Sequence, residues 1–357
     1  MSTVLEDRAL NRATLARQLL AERAPRPALD VIDHLVGLQA QEPLEPYVGL
    51  WSRMDRFAPD ELVGLMESRT VVRTHLQRRT IHLITAADCL ALRSLFQPML
   101  VQRMYGTLKR VLPGVDLDEL AAAGHPHFHA EPLRSADVAR RVADRWPDVA
   151  VRDLGDALTS LVQLVQVPPR GMWGQGSAPA ASTTIEAWLG RAPDPSPADA
   201  GELVLRYLRA YGPATSADVR SWTGLSGLPA VLKALKPQLR TFRDERGREL
   251  LDVEDGPLPD PDTPAPPRFL PAFDNAVLGY DDRTRIIDAE HRNLSVAGAR
   301  LLLVDGRVSA TWSSSAEGIT VTPLRPLTPA EQAEVEEEGS ALTEFLADGT
   351  RGKVRFE

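Results

Sequence analysis

Leu5, Ala9, Ala13, Ala16 and Leu20 recur at three-to-four spacing and predict an opening helix, closed by the turn Ala24-Pro25-Arg26-Pro27. A second helix over 28–38 gathers Leu29, Ile32, Leu35 and Val36 on one face. Shorter helical segments follow around 47–53 and 59–67. The period then changes to two. Val71-Val72-Arg73-Thr74-His75-Leu76, a break at Gln77-Arg78, and Arg79-Thr80-Ile81-His82-Leu83-Ile84 predict a β-hairpin. Helices followed by a hairpin is the order of a winged helix.

The pattern recurs. Ser135-Ala136-Asp137-Val138 and Ser216-Ala217-Asp218-Val219 each place a capping Ser before an apolar stripe, which predicts two helix starts. A second helix follows each, over 151–164 and 227–236, and then a wing candidate, over 165–173 and 239–253. Three such units over 1–85, 115–175 and 198–255 are expected, with a helical insert at 86–110. Linkers read at 191–197 and at the proline-heavy 256–271. Strands are predicted at 268–273, 299–304, 307–312 and 318–324, with Asp305-Gly306 as the strongest hairpin turn. A last helix over 328–346 opens with Thr328 and Glu331 at capping-box spacing. The expected fold is α+β: three tandem winged-helix units and a β-rich C-terminal portion. Its expected domains are 1–110, 111–197, 198–255 and 256–357.

Composition adds exclusions. At 357 residues, 43% hydrophobic and 25% charged, the chain can bury several cores and is not broadly disordered. No apolar run reaches the ~18–20 residues of a membrane span, and residues 1–10 carry acids where a leader needs an apolar core. The single Cys89 excludes an internal disulfide and fits a reducing compartment, so a cytoplasmic protein is expected. The net charge of −8 argues against nucleic acid until its distribution is read. Between Arg69 and Arg110 stand eight basic residues and one acid, Asp88, whereas 252–262 and 331–338 hold five acids each. One basic face on an acidic protein is therefore possible.

No phosphate loop, dinucleotide fingerprint, HExxH or GxSxG is present. His125-Pro126-His127-Phe128-His129 alternates three imidazoles in an expected surface loop but lacks a completing ligand, so no metal is expected. The informative stretch is Leu38-Gln39-Ala40-Gln41-Glu42-Pro43, where Pro43 pushes the chain out of helix. On extended backbone Gln39 and Gln41 converge on one face; alternatively both amides satisfy loose backbone groups at a helix end. In the hairpin, alternation puts Arg73 and His75 on one face, and Arg78 and Arg79 at the tip are placed to reach phosphates. Arg170, Lys233 and Lys236 are expected to do likewise from the second and third units, while Trp173 reads as buried. Asp274, Asn275 and Asp282 read either as supports near a site or as turn and cap residues.

Leu38-Gln39-Ala40-Gln41 resembles the Gln–aliphatic–Gln motif of the AlkZ-like winged-helix DNA glycosylases, relatives of the YcaQ-like enzymes. Val72-Arg73-Thr74-His75 with Arg79-Thr80-Ile81-His82-Leu83, Val167-Pro168-Pro169-Arg170-Gly171-Met172-Trp173, Leu270-Pro271-Ala272-Phe273-Asp274-Asn275, Tyr280-Asp281-Asp282-Arg283-Thr284-Arg285 and Asp305-Gly306-Arg307-Val308 resemble that family too. The resemblance implies tandem winged helices in a C shape around a basic channel for double-stranded DNA. It also implies hydrolysis of the N-glycosidic bond of alkylated purines, bulky N7 adducts and interstrand crosslinks included. The catalytic pair maps onto Gln39 and Gln41; the YcaQ-like branch carries an acid at the second position, so this chain sides with the AlkZ-like branch. The expected protein is a cofactor-independent monomer that repairs DNA. Its rival is a non-catalytic winged-helix regulator.

Overall fold

The computed structural model describes residues 3–195, 198–347, 349 and 352–357. Met1 and Ser2 of the expected leaderless start, and Ser196 and Pro197 of the first linker, lie outside the described residues.

Three times, three helices run into a pair of strands. The first set is Ala28–His34, Glu45–Trp51 and Pro59–Glu67 with strands Val71–His75 and Ile81–Thr85. The second is Leu117–Ala130, Ser135–Val142 and Val151–Leu161 with Leu164–Gln166 and Ser182–Thr184. The third is Ala200–Tyr211, Ser216–Thr223 and Leu228–Leu235 with Arg240–Asp244 and Glu249–Asp252. Local chemistry starts these helices. Asp116 accepts the N–H groups of Asp118 and Glu119, and Asp199 accepts that of Gly201. Thr215 and Asp218 form a capping box. The caps therefore sit one residue before the expected serines: Ser216 is the first helical residue, and Ser135 follows Arg134, whose side chain caps nothing. The insert is one helix, Ala86–Leu108, capped by Thr85.

The hairpins do not project as separate wings. Leu164–Gln166 pairs antiparallel with Val71–His75, with Arg73 opposite Gln166 and Thr74 opposite Val165. One five-stranded sheet results, in the order Leu38–Gln39, Ile81–Thr85, Val71–His75, Leu164–Gln166, Ser182–Thr184. An edge strand offers unpaired backbone groups, and here each unit's edge satisfies the other's. The second pairing is shorter than the expected 165–173 because Pro168 and Pro169 have no N–H to donate. At the first bend Leu76 and Gln77 are fully buried. Burial of such a leucine contributes roughly 1.5–3 kcal/mol, enough to hold the bend inward. It rests on Ala86–Leu108 and Ser216–Thr223, so the first hairpin shares a core with Tyr207, Tyr211 and Trp222 of the third unit.

The opening helix, Asp7–Arg17, departs from the expected 1–110 grouping. Val4–Leu5 runs parallel to Arg240–Asp244, and the helix packs on Ala200–Tyr211. Its buried Arg17 makes a two-pronged ion pair with the buried Asp252 at 2.6 and 2.9 Å, and Arg12 reaches Asp305. The C-terminal portion is a second five-stranded sheet, in the order Lys353–Phe356, Gly318–Pro323, Arg307–Ser315, Arg300–Val304, Arg268–Phe269. Asp305 and Gly306 turn it with φ of 47° and 76°, the left-handed pair a tight hairpin requires. The strand expected over 268–273 stops at Phe269, since Asp274 turns to cap Asn275–Leu278. Pro329–Leu346 follows its Thr328–Glu331 capping box as expected. No helix among the described residues is long and apolar enough to cross a membrane.

Candidate active site

Gly37 brings the chain to the site. Its φ is +92°, and a Cβ there would stand 2.5 Å from Ile84 Cγ2 and 3.0 Å from the Leu83 carbonyl, so glycine alone fits. Leu38–Gln39 then pairs with Leu83 and His82, and the Ala40 N–H continues the ladder to the Ile81 carbonyl at 2.8 Å. Leu38 and Ala40 enter the core while Gln39 and Gln41 share the other side. Gln39 stands on the strand and Gln41 at the bend just after it, where its amide takes a backbone N–H as the alternative reading expected. Their surroundings differ. Gln39 is 9% exposed and its Oε1 accepts from Arg78 Nη2 at 2.7 Å. Gln41 is exposed, and its Oε1 accepts weakly from the Ile81 N–H at 3.3 Å. Nearby carboxylates are Glu45, buried and bound to Arg300 and the Ala272 N–H, and Glu42, which is exposed.

Arg73 is buried beneath this motif rather than facing solvent, which removes it as a phosphate contact. Its Nη2 donates to the Ala40 carbonyl at 2.9 Å, midway between the glutamines. Burial, reinforced by Arg170, lowers its pKa to about 10. The loop of residues 168–176 covers it. Gly171, with φ +89°, lies so close that a Cβ would meet Arg73 Nη1 at 2.2 Å. Tyr47 donates to the Gly171 carbonyl at 3.0 Å, and Trp173, half-buried, packs tilted at 53° against Tyr47 with ring centres 4.9 Å apart. Arg170 itself clasps the loop carbonyls of Gly176 and Ala178.

The other hairpin candidates are also occupied. His75 is half-buried, and burial, with Arg93 and Arg79 behind it, drives its pKa to about 3, so it is neutral where a phosphate contact needs charge. Arg79 is paired with Asp156 at 2.7 Å and donates to Ser160. Arg78 turns inward, between Gln39 and Asn275. Both Arg78 and Arg79 hold left-handed backbone, φ 57° and 63°. Such strain costs about 1–3 kcal/mol per residue and persists only where packing enforces it. A hairpin tip is expected to point these side chains outward; burial of the bend reverses that.

Elsewhere, Lys236 pairs with Glu249 at 2.7 Å, and Lys233 is exposed without an acidic partner among the described residues. Asp274 is buried in a forked pair with Arg53 at 2.7 and 2.9 Å, and Asp282 bonds Arg248 and Thr284. Asn275 alone of that group reaches the glutamines, through Arg78 at 2.8 Å. The three histidines lie in helix Leu117–Ala130, not in a loop, and His125 stacks on His129 at 5.6 Å. Among the described residues no cluster of three metal-ligating side chains occurs. Free cations lie instead at the end of Ala86–Leu108. Arg103 holds the Arg78 carbonyl at 3.1 Å, and Lys109 and Arg110 beyond it are exposed with no acid paired to them among the described residues. The cation run was visible in the sequence; which of its members stay free was not.

This arrangement holds one amide, Gln39, sheltered on a guanidinium and leaves the other, Gln41, in solvent on one long hydrogen bond. In fold the chain is similar to the DNA glycosylase AlkZ of Streptomyces sahachiroi, with a TM-score of 0.79 and 22% identity over 99% of this chain and 100% of that one. No curated protein matches it in sequence. The family described as DNA glycosylase AlkZ-like matches residues 32–345, a span that holds Gln39, Gln41, Arg78 and Asn275. The chain belongs to the AlkZ-like DNA glycosylase family.

Proposed function

We propose that this chain hydrolyses the N-glycosidic bond of cationic N7-alkylated purines in double-stranded DNA, bulky adducts and crosslinks included, as a cofactor-free monomer. The observation that carries the reading is Gln41: an exposed amide at the end of a rigid, buried motif. An amide has no useful basicity at neutral pH and can only accept and donate hydrogen bonds. That suffices for a leaving group that is already cationic. Water oxygen bonds to the sugar C1′ as the C1′–N9 bond breaks; the purine leaves neutral, and the water's proton passes to solvent. Gln41 Oε1 orients the water and turns the negative end of its dipole to the oxocarbenium-like sugar. Unmodified purines, which need protonation to leave, are spared. The three helical units are read as winged helices around the DNA, with Arg103, Lys109, Arg110 and Lys233 toward phosphates.

The test is single-turnover incubation with a duplex holding one N7-methylguanine, followed by alkali. Strand breaks at that guanine are expected, together with unimpaired release by Glu42→Gln. Binding without breaks would leave a DNA-binding protein with no chemistry, and loss of breaks in Glu42→Gln would move the water-activating role to that carboxylate.

A further inference from the structure

Arg78 joins two segments far apart in the chain. Its Nη2 donates to Gln39 Oε1 at 2.7 Å and to Asn275 Oδ1 at 2.8 Å. A guanidinium carries donors only, so both amide oxygens must face it and both amide nitrogens must point away. Among the described residues Gln39 Nε2 has no partner and is not sealed from solvent, whereas Asn275 Nδ2 is sealed and unpartnered. The backbone of Arg78 is pinned by Arg103 at its carbonyl, and its Nη1 is sealed from solvent and unpartnered, so the guanidinium is held through Nη2 alone.

We infer that Arg78 is a positioning residue that locks Gln39 with its oxygen inward, making Gln39 a hydrogen-bond donor toward an oxygen of the deoxyribose-phosphate backbone. The two glutamines thereby divide the work. The DNA backbone offers acceptors and no donors, so it takes an amide N–H; the attacking water must be held through its hydrogens, so it takes an amide oxygen. Gln39 supplies the first and Gln41 the second. The assignment rests on the glycosylase reading above for its chemical consequence, but the locked amide is a property of the protein alone.

Two measurements separate those parts. In the full chain labelled with 15N-glutamine, the Gln39 amide, identified by its loss in Gln39→Met, should be as rigid as the backbone. In Arg78→Met it should become mobile, with Arg78→Lys between the two. A mobile Gln39 amide in the wild type, or an unchanged one in Arg78→Met, overturns the inference whatever the activity. In single-turnover cleavage, Arg78→Met and Gln39→Glu should each slow release at least tenfold at saturating protein, because neither presents an ordered donor. The double variant should be no slower than the worse single one, and melting of Gln39→Glu should stay at the wild-type temperature. Additive losses would assign Arg78 an independent role and overturn the proposal. Should the wild type release no N7-methylguanine, the reaction assignment fails while the labelling experiment still decides the lock.

Discussion

The side chain of Gln41 is held by one long hydrogen bond and otherwise stands in water, so its removal disturbs little besides the reaction. Gln41→Ala is expected to slow N7-alkylpurine release on the order of 10–10³-fold, the range for one preorganised polar contact, with DNA affinity nearly intact. Gln39→Ala should lose less, and the double variant less than the sum, since both act on one nucleotide. Gln41→Asp keeps an acceptor and adds a base, so it should retain most activity. Single-turnover rates check all four; a Gln41→Ala rate equal to wild type would make the pair structural. At this scale the sequence was readable where a residue acts through its neighbours along the chain. The departure from helix before Pro43 is such a case: the chain is already the strand Leu38–Gln39 there. It was unreadable where the partner is remote: Arg53 and Asp274, or Arg78 and Asn275, are joined only when the third unit and the C-terminal portion fold against the first.

Elements announced by local rules formed as expected. The Asp305-Gly306 turn and the Thr328–Glu331 box needed no tertiary help. The first hairpin was read correctly as strands but not as a projecting wing, because nothing local says that Leu76 and Gln77 will be buried under the third unit. That burial shifts the expected DNA contact from Arg78 and Arg79 to the end of Ala86–Leu108. Lys109→Glu with Arg110→Glu should weaken DNA binding across sequences and reduce the slope of log K against log salt by about 2, one contact each. Arg79→Gln, which unpairs Asp156 and releases Ser160, should leave that slope unchanged. Fluorescence anisotropy over a salt series distinguishes them. An unaltered slope in the double reversal would remove the helix end from the interface.

For the whole molecule, the buried imidazole of His82 makes stability depend on acid. Burial, with Arg78 nearby, lowers its pKa from 6.5 to about 3, so the unfolded chain takes up the proton first. Stability should therefore be flat above pH ~7 and fall as pH drops from about 6.5 toward 3, by roughly 1.4 kcal/mol between pH 7.5 and 5.5 for this residue alone. His75 shifts in the same direction and adds to the loss. Urea unfolding at the two pH values should show the drop in wild type and a smaller one in His82→Gln; equal drops would clear His82 of the effect. The opening helix carries a different consequence. Arg17 finds its carboxylate at Asp252 and Arg12 finds Asp305, 235 and 293 residues downstream. Unpairing one partner of a buried ion pair costs about 3–5 kcal/mol. The anchoring of helix Asp7–Arg17 is thus complete only once both the third helical unit and the 305–306 hairpin have folded. A short helix thereby acts as a latch, fastening the third helical unit to the C-terminal sheet across more than two hundred residues of sequence.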